Sequence, residues 1–305
     1  MGKGVSGTVF RAAYLGEQVA VKVMVNQSHN TALFQEIRVL SKLRHRFVVS
    51  FRGISSDLSA VDKAGSRIGV CIVMQLGQFG SIFNVLKDTH LKAKFRLWSE
   101  RLMFLAKIAS GLHYLHSKKI IHRDLKAGNV LVTELFEPLI ADFGLSCNLG
   151  DDRSQGEGTL AYSAPELFDG EDHSPASDIY AFAMVVWFVA TASEPNRECE
   201  EPWADKTNRG LQADVLDGER PLWPKQIMGE ELERFRLVRD ACSVDLSCAY
   251  KKMLYLLLPA FVHMLHSIGW FCLLICSCMC SSQNAAGTKK LNGVQLLPRL
   301  MRRFS

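Results

Sequence analysis

The segment His-Arg-Asp-Leu-Lys-Ala-Gly-Asn at residues 122–129 places an acid, a cation and an amide in one short stretch. Other short motifs flank it in a definite order. Val-Ala-Val-Lys at 19–22 and Glu36 come before it, and Asp-Phe-Gly at 142–144 and Ala-Pro-Glu at 164–166 come after it. Chance does not supply this whole set in one order, so we interpret the motifs together, as parts of one fold.

The first quarter of the sequence has the pattern of a small β-rich unit. Residues 8–25 alternate around a turn and are rich in β-branched and aromatic side chains, which predicts a β-hairpin. Residues 30–44 carry apolar side chains at spacings of three and four, which predicts a helix. Residues 47–54 and 68–76 are predicted to form two further strands.

The sequence that follows has a mainly helical pattern. Residues 99–117 have apolar side chains at the helical period, and residues 176–192 are almost entirely apolar, which predicts a buried helix. No internal repeat or low-complexity linker interrupts the chain up to about residue 245. We therefore expect a strand-rich part followed by a helical part.

The ordered motifs resemble the signature of the eukaryotic protein kinase family, in the form typical of Ser/Thr kinases of the tyrosine-kinase-like group. The resemblance covers residues 1–245. It implies an α+β, two-lobed protein kinase fold, with a small β-rich lobe at about 1–76 and a larger helical lobe at about 80–245. A divergent hydrophobic tail, 246–305, follows. The implied reaction is transfer of the γ-phosphate of ATP to Ser or Thr hydroxyls of protein substrates.

The resemblance also assigns the catalytic roles. Asp124 is the implied catalytic base, and Lys126 is implied to neutralise charge on the transferred phosphoryl group. Lys22 is implied to hold the α- and β-phosphates, and Glu36 to keep its ammonium in place. Without the other motifs, we would interpret Glu36 as an ordinary solvated helix residue.

ATP and Mg²⁺ are the implied cofactors. Asp142 and Asn129 are expected to hold Mg²⁺, because this ion prefers carboxylate, amide and phosphate oxygens. The glycine-rich segment before the first predicted strand would let backbone N–H groups approach the phosphates, and other residues are implied to sandwich the adenine or to line the connection between the lobes. The expected nucleotide-binding residues are Gly2, Gly4, Gly7, Val9, Ala20, Lys22, Met74, Gln75, Gly77 and Leu131.

Lys126 favours Ser/Thr substrates over Tyr, and by resemblance Thr159 contacts both Asp124 and Lys126. Arg123 directly precedes the implied base, as in kinases that are controlled by phosphorylation of the activation loop. Ser154 is the predicted phosphorylation site in that loop.

Two departures from the family pattern support an alternative. Only Met1 precedes Gly2, so we expect the small lobe to lack its first strand. The Pro-x-x-Arg-Pro pattern expected after residue 245 is also absent, which would leave Glu166 without its ion-pair partner. The alternative is therefore a catalytically inactive, pseudokinase-like scaffold or an unstable kinase fragment.

Composition limits the class of partner. The 305 residues are 48% apolar and 22% charged, which is typical of a globular protein. The net charge of +5 is too small to indicate a nucleic-acid partner, so we expect none. The N-terminus lacks the apolar core of a signal peptide, which favours a reducing, cytoplasmic location.

The segment 253–280 contains no Asp, Glu, Lys or Arg and is long enough to span a bilayer. Basic residues follow it, and the positive-inside rule places such residues on the cytoplasmic side. The catalytic part must also be cytoplasmic to meet ATP, so a single membrane span conflicts with this charge pattern. Two alternatives are left. The segment 253–280 contacts a membrane as a hairpin or an interfacial segment, or it does not insert at all.

Overall fold

The computed structural model describes residues 3–4, 7–23, 30–55, 70–149, 158–192 and 199–222. The chain divides by its contacts into a unit Met1–Phe261, which contains all of these residues, and a unit Val262–Ser305. The predicted positions Gly2 and Ser154, the boundary at residue 245 and the apolar segment 253–280 lie outside the described residues.

The small lobe is built on an antiparallel sheet of five strands in the order β1-β2-β3-β5-β4. The hairpin β2–β3 turns at Leu15 and Gly16, and both take a positive φ there. The predicted hairpin is thus present. The strands are β1 (Lys3–Gly4), β2 (Gly7–Tyr14), β3 (Glu17–Val23), β4 (Phe51–Ser55) and β5 (Cys71–Gln75).

The two-lobed α+β fold is present, and its strand β1 lies inside the glycine-rich segment. Strand β1 is present as two residues, with Lys3 opposite Thr8 and Gly4 opposite Gly7. The prediction of a missing strand concerned the strand that leads into this segment, before Gly2, so β1 does not contradict it. An edge strand pairs with a single neighbour, so two residues inside the glycine-rich segment are enough to add backbone bonds beside β2.

Helix α1 (Asn30–Leu40) packs its buried side chains Leu33, Val39 and Leu40 into the core. It ends four residues before the predicted end at residue 44. The amides of Lys42 and Leu43 bond to carbonyls three residues back, so the chain tightens into a turn after Leu40.

The segment between α1 and β4 joins the two lobes. Residues 47–49 were predicted to be part of a strand of the small lobe. They are buried, but the amide of Val49 donates to the carbonyl of Ile140 and the amide of Ile140 donates to the carbonyl of Phe47, both at 2.9 Å. Because Ile140 belongs to the large lobe, these bonds fix α1 and β4 relative to the large lobe.

The large lobe consists of helices and two short strand pairs, β6 with β9 and β7 with β8. Its strands are β6 (Ile120–Ile121), β7 (Val130–Val132), β8 (Pro138–Ile140) and β9 (Cys147–Asn148). Its helices are α2 (Ile82–Lys87), α3 (Thr89–Lys92), α4 (Trp98–Ser117), α5 (Pro165–Phe168), α6 (Pro175–Ala192) and α7 (Asn208–Leu216). The predicted helices at 99–117 and 176–192 correspond to α4 and α6.

Helix α6 lies in the centre of the large lobe. It is long and apolar enough to cross a bilayer, but 89% of this 18-residue helix is buried inside the protein, as expected for a core helix. The buried Arg101 on α4 donates to the carbonyl of Ala190 in the last turn of α6. A cation is favourable there because the carbonyl end of a helix carries partial negative charge.

Glu166, at the start of α5, is half-buried. Burial raises its pKa, the nearby Glu171 raises it further, and Arg220 lowers it. The guanidinium of Arg220 lies 5.1 Å from the centre of the Tyr180 ring on α6. Among the described residues no cation forms a direct ion pair with Glu166, but Arg220 stabilises its charged form from a longer distance. The segment after residue 245, where the sequence analysis expected the partner to be missing, lies outside the described residues.

Replacement of Gly111 by Ala tests how closely α4 packs against the lobe-joining segment. An added Cβ would lie 2.9 Å from Ile140 Cδ1 and 3.0 Å from the carbonyl oxygen of Phe47. Gly→Ala in an open helix usually stabilises by about 0.5–1 kcal/mol. Here we expect the free energy of unfolding to fall by about 1–3 kcal/mol because of overpacking. Urea unfolding measures this, with Ser110→Ala as the control, and an unchanged midpoint for Gly111→Ala would contradict the packing.

Replacement of Arg220 by Met tests whether this residue stabilises the end of the described large lobe. We expect a loss of about 1 kcal/mol in the free energy of unfolding, because a cation over an aromatic ring contributes about 0.5–2 kcal/mol. Glu166→Gln in the same background should restore part of the loss, since it removes the charge that Arg220 compensates. Arg209→Met, at an exposed position on α7, is the control. Equal effects of the two Arg→Met changes would argue against a specific role.

Candidate active site

The ammonium group of Lys22 connects three parts of the structure. Lys22 lies on β3, between Val9 on β2 and Ile72 on β5, and is 4% exposed. Its Nζ lies 2.7 Å from Oε2 of Glu36 on α1 and 2.7 Å from Oδ1 of Asp142. The structure therefore brings together the predicted residues of the sheet, the helix and the Asp-Phe-Gly motif.

The charges at this junction depend on one another. Burial alone would lower the pKa of Lys22, but Glu36 and Asp142 outweigh it and the pKa is raised, so the ammonium stays charged. Burial raises the pKa of Glu36, and Lys22 opposes that rise. The side chain of Asp142 is 30% exposed, compared with 2% for Glu36. Asp142 is thus the more exposed of the two carboxylates, and it is the one that a metal cation can reach.

A second cluster lies on the loop that contains residues 122–129. Asp124 accepts a hydrogen bond from Lys126 Nζ at 2.7 Å on one carboxylate oxygen, and from Thr159 Oγ1 at 2.8 Å on the other. Lys126 Nζ also donates to Thr159 Oγ1 at 2.8 Å. These three side chains form a closed triangle, with the contacts of Thr159 that the family resemblance implies.

Thr159 follows a glycine that allows this approach. Gly158 has a φ of +127°, and a Cβ there would lie 3.2 Å from the carbonyl oxygen of Arg123. A larger residue would therefore push the Thr159 segment away from the loop of Asp124.

Asn129 directly precedes β7, and Asp142 lies two residues after the end of β8. The carbonyl of Asn129 accepts from the amide of Ala141 at 2.9 Å, and β7 and β8 pair directly beyond this bond. The side-chain amide nitrogen of Asn129 donates to Asp124, both to its carbonyl at 2.7 Å and to its carboxylate at 2.9 Å. The side-chain oxygen of Asn129 is consequently the atom available as a ligand.

These oxygen donors fit Mg²⁺. Within the described residues, no group of three or more His, Cys, Asp or Glu side chains is arranged to hold a metal ion. Mg²⁺ does not need such a group, because it is usually bound by one or two protein oxygens together with substrate phosphates and water. One carboxylate from Asp142 and one amide oxygen from Asn129 match that mode of binding.

Asp178 holds the backbone of the loop that contains residues 122–129, and the sequence analysis missed it. Its carboxylate accepts from the amides of His122 at 2.8 Å and Arg123 at 2.9 Å, and His116 Nε2 lies 2.8 Å from it. Burial would raise the pKa of Asp178, but its bonds to His116 and His122 lower it. One feature of the sequence could have indicated this role: Asp178 is the single carboxylate in an otherwise apolar helix.

His122 connects this loop to the Asp-Phe-Gly motif. Its Nε2 lies 3.0 Å from the carbonyl oxygen of Ala141, and its ring centre lies 5.0 Å from that of Phe143. Both side chains are fully buried. The residue between Ala141 and Phe143 is Asp142, which has a positive φ of 64°. Contacts on both sides therefore hold Asp142 in a conformation that non-glycine residues seldom adopt.

The predicted adenine residues line the connection between the lobes. Ala20 on β3 pairs with Met74 on β5, and Met74 is buried in the core. Position 77 requires a glycine because the backbone there lies close to Leu131 on β7. An added Cβ would lie 2.6 Å from Cβ of Leu131. Val9 and Leu131 are partly buried against the same core.

Three glycines and Gln75 are the remaining residues that were predicted to bind the nucleotide. Gly4 and Gly7 are paired at the β1–β2 turn, and the amide of Gln75 donates to the carbonyl of Ser50 at 2.8 Å. Gly2 lies outside the described residues.

Glu201 is a further residue near the candidate site that the sequence analysis missed. The Tyr162 hydroxyl donates to its carboxylate and accepts from the amide of Ala127, next to Lys126. Burial raises the pKa of Tyr162 well above its usual value and also raises that of Glu201. The phenol therefore stays protonated, and it ties the Thr159 segment to the catalytic loop.

Comparison of the sequence with known proteins shows the family. A family model for protein tyrosine and serine/threonine kinases matches residues 1–236. The chain is 34% identical over 231 residues to a putative serine/threonine-protein kinase/receptor of Acanthamoeba polyphaga mimivirus, covering 73% of this chain and 13% of that protein. It is 33% identical over 233 residues to the probable serine/threonine-protein kinase drkD of Dictyostelium discoideum, covering 73% and 17%.

Another relative has the same level of identity. Mitogen-activated protein kinase kinase kinase 13 of Homo sapiens is 34% identical over 205 residues, which is 66% of this chain and 19% of that protein. The chain thus spans less than a fifth of the length of these relatives. The family match covers most of the chain and includes all the motifs described above, so this chain belongs to the family of protein tyrosine and serine/threonine kinases.

Proposed function

We propose that this chain is a protein Ser/Thr kinase that transfers the γ-phosphate of ATP to hydroxyl groups of protein substrates. The observation that carries the proposal is the triangle of Asp124, Lys126 and Thr159, in which an acid, a cation and a hydroxyl converge within 2.8 Å of one another. Phosphoryl transfer depends mainly on positioning and on neutralising charge, and this triangle provides groups suited to both.

Each residue has a defined part in the reaction. Lys22 binds the α- and β-phosphates, and Glu36 holds its ammonium in place. Asp142 and Asn129 would hold Mg²⁺, which would neutralise charge on the phosphates. These side chains fix the phosphates between the lobes before the acceptor arrives.

Asp124 then orients the acceptor hydroxyl and accepts its proton. A bond forms between the hydroxyl oxygen and the γ-phosphorus, and the bond from that phosphorus to the β–γ bridging oxygen breaks, which leaves ADP. Lys126 donates to the transferred group while its charge develops.

The choice of Ser/Thr over Tyr rests on Lys126 and Thr159. Both lie beside the carboxylate of Asp124, so they limit the space in front of the base. A short hydroxyl side chain can reach the base in that space, whereas a Tyr ring would need the substrate backbone to lie further away. The names of the relatives support the same substrate class.

Replacement of Asp124 by Ala should abolish transfer and leave nucleotide binding intact. We expect the rate of transfer to fall by about 10²–10⁴, the contribution of a general base. The thermal shift caused by Mg·ATP should stay within experimental error of the wild-type shift, because Asp124 does not hold the phosphates. Labelled phosphate transfer to peptide libraries with Ser, Thr or Tyr acceptors measures the first quantity, with the exposed Asp205→Ala as the control.

The same assay separates the proposed kinase from an inactive scaffold. Asp142→Ala should lose both transfer and the Mg·ATP thermal shift. A wild-type chain that unfolds cooperatively but shows no transfer and no shift would favour the scaffold, and a chain with no cooperative transition would favour an unstable fragment. Transfer to the Tyr library alone would overturn the substrate assignment.

We also propose a cytoplasmic location, because the reaction needs cytoplasmic ATP. The full chain, expressed with a fluorescent tag, should remain in the soluble fraction after carbonate extraction. Recovery of the full chain with membranes, and its release by deletion of 246–305, would instead show that the tail is an anchor.

A further inference from the structure

Ser146, two residues after the Asp-Phe-Gly motif, joins three segments through its three polar groups. Its amide donates to the carbonyl of Phe143 at 3.1 Å. Its hydroxyl donates to the carbonyl of His122 at 3.1 Å. Its own carbonyl accepts from Nε2 of Gln35 on α1 at 3.1 Å. Ser146 is 2% exposed, so its bond to His122 is shielded from competing water, and the bond from Gln35 is partly buried.

The first two bonds attach Ser146 to the large lobe, and the following residues strengthen that attachment. Strand β9 (Cys147–Asn148) pairs with β6 (Ile120–Ile121), immediately before His122. The amide of Leu149 also donates to the carbonyl of Lys119 at 2.7 Å. The carbonyl of Ser146 is therefore a fixed acceptor, whose position is set by the catalytic loop.

The third bond comes from the small lobe. Gln35 directly precedes Glu36 on α1, so the two side chains leave the helix from consecutive positions. Glu36 bonds to Lys22 within the small lobe, and Gln35 bonds to Ser146 of the large lobe. A rotation or outward shift of α1 that broke the Lys22–Glu36 pair would also have to stretch or break the Gln35–Ser146 bond.

We propose that Gln35 is a positioning residue that holds α1 where Glu36 meets Lys22, by bonding to the carbonyl of Ser146. The role rests on the proposed kinase function, since it matters for transfer only if Lys22 binds phosphate. Gln35 acts through Glu36 and touches neither nucleotide nor substrate.

The chemistry of the bond selects the informative variants. A carbonyl oxygen accepts only from a donor, so Gln35→Glu places an acceptor against an acceptor at almost unchanged size. Gln35→Lys restores a donor and should rescue the contact. Ser146→Ala keeps the carbonyl but removes the bond to His122. The carbonyl that accepts from Gln35 should therefore be held less firmly. Arg38→Gln changes an exposed residue on the same helix and is the matched control.

The test uses the full chain and two measurements. Amide hydrogen exchange of residues 30–40, without nucleotide, should be faster in Gln35→Glu, intermediate in Ser146→Ala and unchanged in Gln35→Lys and Arg38→Gln. The kcat/KM for ATP should fall about five- to tenfold in Gln35→Glu, the effect of one lost hydrogen bond. The fall should appear mainly as a higher KM for ATP, and the KM for peptide should not change.

Three results would overturn the proposal: wild-type exchange of α1 in Gln35→Glu, an equal effect of Arg38→Gln, or failure of Gln35→Lys to rescue. The exchange measurement does not require activity. If the wild-type chain transfers no phosphate, the proposed function fails, while faster exchange in Gln35→Glu still supports the coupling of α1 to Ser146 and unchanged exchange still overturns it.

Discussion

The buried ammonium of Lys22 is the interaction on which the arrangement of the site depends. A charge with 4% exposure is costly in a protein interior unless opposite charges and hydrogen bonds compensate it. Two carboxylates do so here, and they come from different lobes: Glu36 from α1 and Asp142 from the Asp-Phe-Gly motif. The need to pair this one charge therefore fixes both the helix and the motif relative to the sheet.

The rest of the site is built outward from that pairing. Phe143, next to Asp142, packs on His122, and His122 opens the loop that contains Asp124. The backbone of that loop is held in turn by Asp178 on α6. A continuous series of contacts thus leads from the sheet of the small lobe to the central helix of the large lobe, and it passes through Lys22, Glu36, the Asp-Phe-Gly motif and the loop 122–129.

Much of this could be predicted from the sequence, because the residues that do chemistry are restricted to few alternatives. The motifs located Lys22, Glu36, Asp124, Asn129 and Asp142 and indicated the two-lobed fold. The supporting contacts could not be predicted in the same way. Asp178, Glu201 and Ser146 act through backbone amides, carbonyls or a phenol of distant segments, and such partners leave no periodic pattern in the sequence. Short strands such as β1 are equally hard to predict, because two residues are too few to show the alternation of apolar and polar side chains that marks a strand.

The contact of Asp178 with the catalytic loop also has a consequence for protein synthesis. Asp124 leaves the ribosome before Thr159, and Thr159 leaves before Asp178 and the rest of α6. Until α6 has emerged and folded, the amides of His122 and Arg123 lack their acceptor, and Asp124 lacks the hydroxyl of Thr159. A nascent chain would therefore already hold every residue of the small lobe while its catalytic loop was still unformed. This order of emergence leaves the loop of Asp124 without its supporting contacts until most of the large lobe has been made.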